Sequence, residues 1–428
     1  MVRIERDRVI KMEISQQFIK AIENGDIQTV QSLIEPLQLA GEPEIQYEIA
    51  NMLVQAGYLK EGEQVLEHLQ FLFPEEAQLK IDRAQILMEI NEEDEALLLL
   101  TSIEEHVEEY PQALLSLADY YQMQGYYEVA EQKLNQALAL LPEEPLLIFA
   151  KAELLLETGK YLESVRLYEN LKGQMDEIAG IRLSERLAEV YSAGAAFEDA
   201  IPYYEESLTD HVTPDLLFGL AYAAFQAGRY ELSVSKLNEV KMLDPDYFSA
   251  YLLLAQAYSM IEDNQQAYDA ILEGLSRDEY DKELYLFAGK LALKLGRTTE
   301  AEEHLRQAIT LDPEYMEATI TLVSYLHAEE KDEEVIELVE LISHNQDDWS
   351  ALYPFAADAY AKEENFERAY EFYSLAYTDH KEDPVFMEKY AYFLLEEGKR
   401  VEALEISKQL AILQPNEERW QEVIESLS

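Results

Sequence analysis

Written in rows of about 34 residues, the sequence puts Gly25, Gly57, Gly125, Gly159, Gly228, Gly296 and Gly398 in one column, with Gly194 one position early. The prolines fall into two more columns. Pro43, Pro111, Pro145, Pro214 and Pro384 open their rows, and Pro74, Pro142, Pro245, Pro313 and Pro415 stand near the row ends. A fixed internal period constrains a chain more than its length does, because each unit must bury its apolar face against its neighbours in the array. Glycine in such a column supplies a positive φ between two elements, and proline is tolerated where a helix begins or has just ended.

Between these marks each row holds two apolar-periodic segments of helical length, without strand alternation. Gly numbers 15 and Pro 13 among 428 residues, so helix is favoured almost everywhere. The eighth column is small: Ala50, Ala84, Ala118, Ala152, Ala188, Ala221, Ala255, Gly289, Val323, Ala357 and Ala391. The twentieth is small as well: Gly62, Ala96, Ala130, Ser164, Ala200, Ser233, Ala267, Ala301, Ala369 and Ala403. Small residues at these places let paired helices approach closely. Large ones fill the complementary slots, as with Tyr121, Tyr191, Tyr258 and Tyr360 in the eleventh column and Tyr168, Tyr204, Leu237, Leu305 and Tyr373 in the twenty-fourth.

These columns together resemble the tetratricopeptide repeat (TPR) family; the row Pro111 to Glu144 matches best, through Leu114, Leu117, Ala118, Tyr121, Gly125, Tyr127, Ala130, Leu134, Ala137 and Pro142. The resemblance implies an all-α, right-handed superhelical solenoid of about twelve helical hairpins, closed by a C-terminal capping helix. The expected organisation is an extension over residues 1–10, expected to be disordered, then an N-terminal array over 11–180 with repeats beginning near 11, 43, 77, 111 and 145. A second array spans 181–415, with repeats near 181, 214, 248, 282, 316, 350 and 384, and the capping helix covers 416–428. Asn416 is the expected helix cap, with Trp420, Val423, Ile424 and Leu427 forming an inward stripe. Phe18 sits in the small slot of the first repeat, and the fifth repeat runs long through Leu171 to Gly180, where a bend or boundary is expected.

Charge narrows the function. Asp and Glu number 87 against 33 Lys and Arg, a formal charge of −54, so nucleic-acid phosphates and anionic membranes would be repelled. No apolar run approaches the length of about eighteen residues that a membrane span needs. Arg3, Arg6, Arg8 and Lys11 are followed by no apolar region of a secretory signal. The lack of cysteine excludes disulfides and thiol chemistry and agrees with a cytoplasmic location in a bacterial type of cell. There is no GxGxxG, Walker, GxSxG or HExxH motif, and the seven histidines are scattered, so no catalytic residue, metal or cofactor is expected. Ser233 to Lys236 spells S-x-x-K, but Ser233 fills the small packing column. Asn91 to Glu95 lacks the alternation and glycine of a calcium loop.

What the resemblance leaves is a surface. In this family, positions two, five, nine and twelve of the first helices face a concave groove that holds an extended peptide or a helix. Here that places Tyr47, Ile81, Leu115, Phe149, Leu252 and Leu286 in the fifth column beside Asn51, Gln85, Asp119, Glu153, Gln256 and Lys290 in the ninth. An apolar row beside a polar row suits a segment that buries alternate side chains, unless the fifth column serves only to pack neighbouring helices. Phe218, Tyr222 and Phe225, at i, i+4 and i+7, form an aromatic face of one helix and are the most pointed candidates for partner contact. The expected function is a non-catalytic scaffold for a protein or peptide of basic or amphipathic character, since an acidic ligand would meet the protein's own field. A sensor of a small signalling peptide is the alternative; its usual effector module has no room before the second repeat. An enzyme using Glu153, Glu185 and Glu189 is a lesser one.

Overall fold

The computed structural model describes residues 14–40, 42–343 and 349–428; the expected extension over 1–10 lies outside them. Each row folds as two antiparallel helices joined by a tight turn, from 14–23 with Ile27–Ala40 through to Pro384–Glu396 with Arg400–Leu413. By internal contacts the chain forms two compact units, Met1–Val212 and Thr213–Ser428. In the second, one apolar cluster runs unbroken from Leu286 to Trp420.

The turn between paired helices has one backbone geometry in all twelve rows. The residue fifteen places into the row takes positive φ whether or not it is glycine: beside the seven glycines stand Asn91, Ala195, Glu262, Glu330 and Glu364, with φ between 57° and 64°. In each the next amide closes back on the helix, as with Tyr58 N–H to Leu53 O at 2.8 Å and Ala196 N–H to Tyr191 O at 2.8 Å. This is the Schellman closure. Gly194 is therefore not the turn residue. It ends its helix at φ −81°, and what it supplies is space, because a Cβ there would stand 3.1 Å from Tyr161 Cβ. Replacing Ala195 by glycine is expected to stabilise the N-terminal unit by about 1 kcal/mol by relieving the left-handed strain, and Gly194→Ala to destabilise it. Urea unfolding of the two variants checks both signs.

The small columns do the packing. The alanines of columns eight and twenty are at most 1% exposed, and Ser164 spans its hairpin to donate to the Ala152 carbonyl at 2.8 Å. At Gly289 an added Cβ would lie 2.7 Å from Leu305 Cγ. Phe18 fills the small slot of the first repeat as a fully buried core residue.

The long fifth row departs from the all-helical expectation. Glu177–Ile178 and Ile181–Arg182 pair as a two-stranded antiparallel ribbon, Ile178 opposite Ile181. Ala179 and Gly180, both at positive φ, make the two-residue turn whose twist suits such a ribbon. The ribbon takes up the extra chain, and Lys172 fastens its start through Asp176 at 2.6 Å.

At the C-terminus, Glu418–Leu427 turns Trp420, Val423 and Leu427 onto the last hairpin while Gln421, Glu422 and Glu425 face water. Asn416 does not cap it. The helix starts after Glu417, with no side-chain cap, and Glu418 in its first turn offsets the exposed amides instead.

Candidate functional site

The fifth and ninth columns divide by environment. Ile81 is fully buried, and Phe149 and Leu286 are 7% and 5% exposed, so these three pack neighbouring hairpins and offer a ligand little more than an edge. Tyr47, Leu115 and Leu252 are half-buried. Tyr47 donates to Asp82 Oδ2 at 2.7 Å, and Asn51 lies half-buried one turn along the same helix.

In the N-terminal unit, Gln85, Leu115, Asp119, Phe149 and Glu153 converge from three consecutive repeats on an open recess of about 830 Å³. Met123, Tyr127, Leu146, Ala150 and Glu157 also line it, with Gln122, Gln124 and Gly125. Leu115 and Leu146 are shared with an adjoining recess of about 340 Å³, whose lining includes Glu108, Glu109 and Glu144. Among the described residues, no lysine or arginine lines either one. Two of the carboxylates are already engaged. Glu157 accepts from Gln122 at 2.5 Å and from the Tyr127 hydroxyl at 2.9 Å. Glu153 accepts from Tyr168 and pairs with Arg186 Nε at 3.0 Å. Asp119 is an exposed residue on the face of this recess, and the partial desolvation of its carboxyl there pushes its pKa up to about 6.

In the C-terminal unit, Leu252, Gln256, Leu286 and Lys290 share a recess of about 410 Å³ with Glu283, Phe287, Tyr315 and Glu317. Here one carboxylate is neutralised from within, because Lys290 pairs with Glu317, and Glu283 leaves the lining one negative charge in excess. The aromatic helix is partly covered by its neighbours. Phe218 lies 5.1 Å from the Tyr247 ring, and Phe225 meets Tyr230 edge-on at 5.6 Å, while Tyr222 is 40% exposed. Tyr247 in turn donates to Asp215 at 3.0 Å; burial and that carboxylate push its pKa up to about 12.

A pattern that column reading missed links distant rows. In the fifth repeat the ninth-column Glu153 is held by the twenty-fourth-column Tyr168 and by Arg186, sixth in the next row. In the eleventh repeat Asp358, Tyr373 and Lys389 occupy the same three places; Tyr373 donates to Asp358 at 2.5 Å and Lys389 pairs with it. His327 Nε2 approaches Asp358 to 3.6 Å, and burial holds this imidazole below its ordinary pKa. The signal is an acid at position nine, Tyr at position twenty-four and a cation sixth in the next row; the sixth repeat has Glu189 and Tyr204 but Gly219 in the third place, and there Tyr204 accepts from Ser192 instead. The three carboxylates named for acid–base work are tied up as well: besides Glu153, Glu189 pairs with Arg186 at 2.6 Å and Glu185 lies 3.2 Å from His211.

A succession of hairpins with one turn geometry, small columns at eight and twenty and recesses along the first helices defines a tetratricopeptide repeat protein, and the chain belongs to that family. Models of YpiA-like tetratricopeptide repeats match residues 122–175 and, for the C-terminal repeats, 353–417. A general tetratricopeptide repeat model matches 186–247, and a coatomer epsilon subunit model matches 241–374. The chain is 36% identical to the TPR repeat-containing protein YpiA of Bacillus subtilis (strain 168), over 96% of its own length and 97% of that protein's. Among solved structures it is similar to the C-terminal part of a TPR repeat-containing protein from Cytophaga hutchinsonii (TM-score 0.45, 13% identity, 64% of this chain and 99% of that one). It is also similar to YrrB, described as a TPR protein with an unusual peptide-binding site (TM-score 0.37, 17% identity, 43% and 95%). Repeat arrays of this family are protein-interaction scaffolds. No helix among the described residues is long and apolar enough to cross a membrane.

Proposed function

We propose that the protein is a non-catalytic cytoplasmic scaffold that holds a segment of a partner protein, or a peptide, along the first-helix face, and that the partner is basic or amphipathic. The observation that carries this reading is the pair of joined recesses in the N-terminal unit. Five side chains from columns five and nine meet there, with half-buried Leu115 and the 42% exposed Leu146 set among acids and amides. Such a surface desolvates apolar side chains of a ligand and offers acceptors to its amides and cations. The protein's charge of −54 steers a basic segment toward it and makes the encounter rate fall as salt rises.

The test is affinity capture from the native host with mass spectrometry, followed by titration of the recovered partner against wild type and Leu146→Asp. An exposed apolar side chain replaced by a charge in the groove is expected to weaken binding about tenfold with an unchanged helical spectrum. A partner bound equally well by the variant would remove the groove from the reading.

A further inference from the structure

The fifth and eleventh repeats each give their ninth-position carboxylate an internal cation: Arg186 beside Glu153, Lys389 beside Asp358. Each also adds a tyrosine hydroxyl, from Tyr168 and Tyr373. The fourth repeat carries the same carboxylate without either. Where the other rows have tyrosine it has Leu134, and where they have Arg or Lys in the following row it has Ala150. Both belong with Ala118 and Leu154 to one apolar cluster. Among the described residues no donor or cation is recorded on Asp119. It faces a recess with room for a long side chain, bounded by an apolar ring, Phe149, and an apolar stem, Leu115.

We propose that this recess receives a lysine or arginine side chain of the bound protein segment, in the place that Arg186 and Lys389 fill from within the chain beside Glu153 and Asp358. The inference rests on the groove reading above and specifies its partner: a cation flanked by apolar residues. A methylene stem lying along Leu115, Leu146 and the edge of Phe149 is desolvated while its charged end reaches the carboxylate, the arrangement long basic side chains favour. An ion pair in this setting is less screened than one in open water, so it decides register as well as affinity. A proton competes for the same oxygen atoms. The titratable groups facing Asp119 from packed helices are Glu153, Glu157 and Tyr127, while the preceding first helix contributes the neutral Gln85. Binding therefore weakens as pH falls through about 6, where Asp119 takes up its proton.

The probe is a displayed library of random peptides of roughly a dozen residues, long enough to lie across neighbouring repeats. It is panned on the full chain near neutral pH, and the best sequences are synthesised. The expected selections carry Lys or Arg next to Leu, Ile or Phe. Asp119→Asn and replacement of the peptide's basic residue by norleucine are each expected to weaken binding about tenfold, and the double change to cost little more than either alone. Ala150→Lys, which supplies the missing internal cation, is expected to block the site while the melting temperature holds or rises. It also separates the inference from any folding defect of Asp119→Asn. Selected peptides without cations, or with affinity indifferent to both Asp119→Asn and Ala150→Lys, overturn the inference; if Leu146→Asp still abolishes their binding, the groove reading stands. No enrichment over an empty support overturns both.

Discussion

Trp420→Ala is expected to cost about 3–5 kcal/mol, the range for deleting a large aromatic that neighbours cannot collapse upon. Trp420 is fully buried, and its Nε1 donates to Gln414 Oε1 at 2.9 Å. Tyr392 packs 5.4 Å from the ring, and the Arg419 guanidinium lies 5.1 Å above it, itself held to Glu388 at 2.7 Å. The cost falls on one end of the molecule, because each hairpin of a repeat array gains its stability from its own neighbours. Hydrogen exchange is the measurement that separates this from a global effect: protection should drop first in Arg400–Leu413 and Pro384–Glu396, then progressively less in earlier hairpins. Val423→Ala, at a half-buried site on the same stripe, should move the same hairpins by about 1 kcal/mol. If Trp420→Ala leaves protection of the last hairpin intact, Glu418–Leu427 does not close the array.

The parts of this fold that are legible in the sequence are the positions where sterics admit one class of residue. Column eight reads directly as alanine because the partner helix backbone passes beside it, and Gly289 shows the limit, with Leu305 already occupying the place of a Cβ. The interhelical turn is legible in seven rows and silent in five. Its geometry is enforced by the helices on either side, so Asn91, Ala195, Glu262, Glu330 and Glu364 are driven into the left-handed region at a cost that packing elsewhere offsets. The ribbon at Glu177–Arg182 left only a length signal, since two short strands carry too few residues to show alternation.

Of the candidate site, the columns are legible and their chemistry is not. Asp119, Glu153 and Asp358 read alike as ninth-position acids, yet the environment of each is set by two residues elsewhere, fifteen places along and in the next row. Arg186 with Tyr168 makes Glu153 an internal ion pair, whereas Ala150 with Leu134 leaves Asp119 without an internal partner among the described residues. A single column cannot record that difference. It requires three positions read together, with Glu exchangeable for Asp and Arg for Lys.

The aromatic helix Pro214–Gln226 gives the second large effect. Replacing Phe218 and Tyr222 together by alanine is expected to abolish capture of the native partner, since rings desolvated at an interface commonly contribute at least about 2 kcal/mol each. The two rings are not equivalent. Phe218 is half-buried beside Tyr247, so removing it also opens a gap in the unit's own packing, at a stability cost of about 1–2 kcal/mol. Tyr222, 40% exposed, loses little by truncation, and Tyr222→Ala should melt within about 0.5 kcal/mol of wild type. The single variant therefore isolates binding from folding. Roughly thirtyfold weaker capture by Tyr222→Ala, with an unchanged helical spectrum, places the partner on this face. Full capture by the single variant together with a large loss of stability in the double one would mean that Phe218 belongs to the packing between Pro214–Gln226 and the turn carrying Tyr247. The partner would then lie on another surface, the convex face or the acidic recess of the N-terminal unit, and Leu146→Asp with Asp119→Asn distinguishes the two.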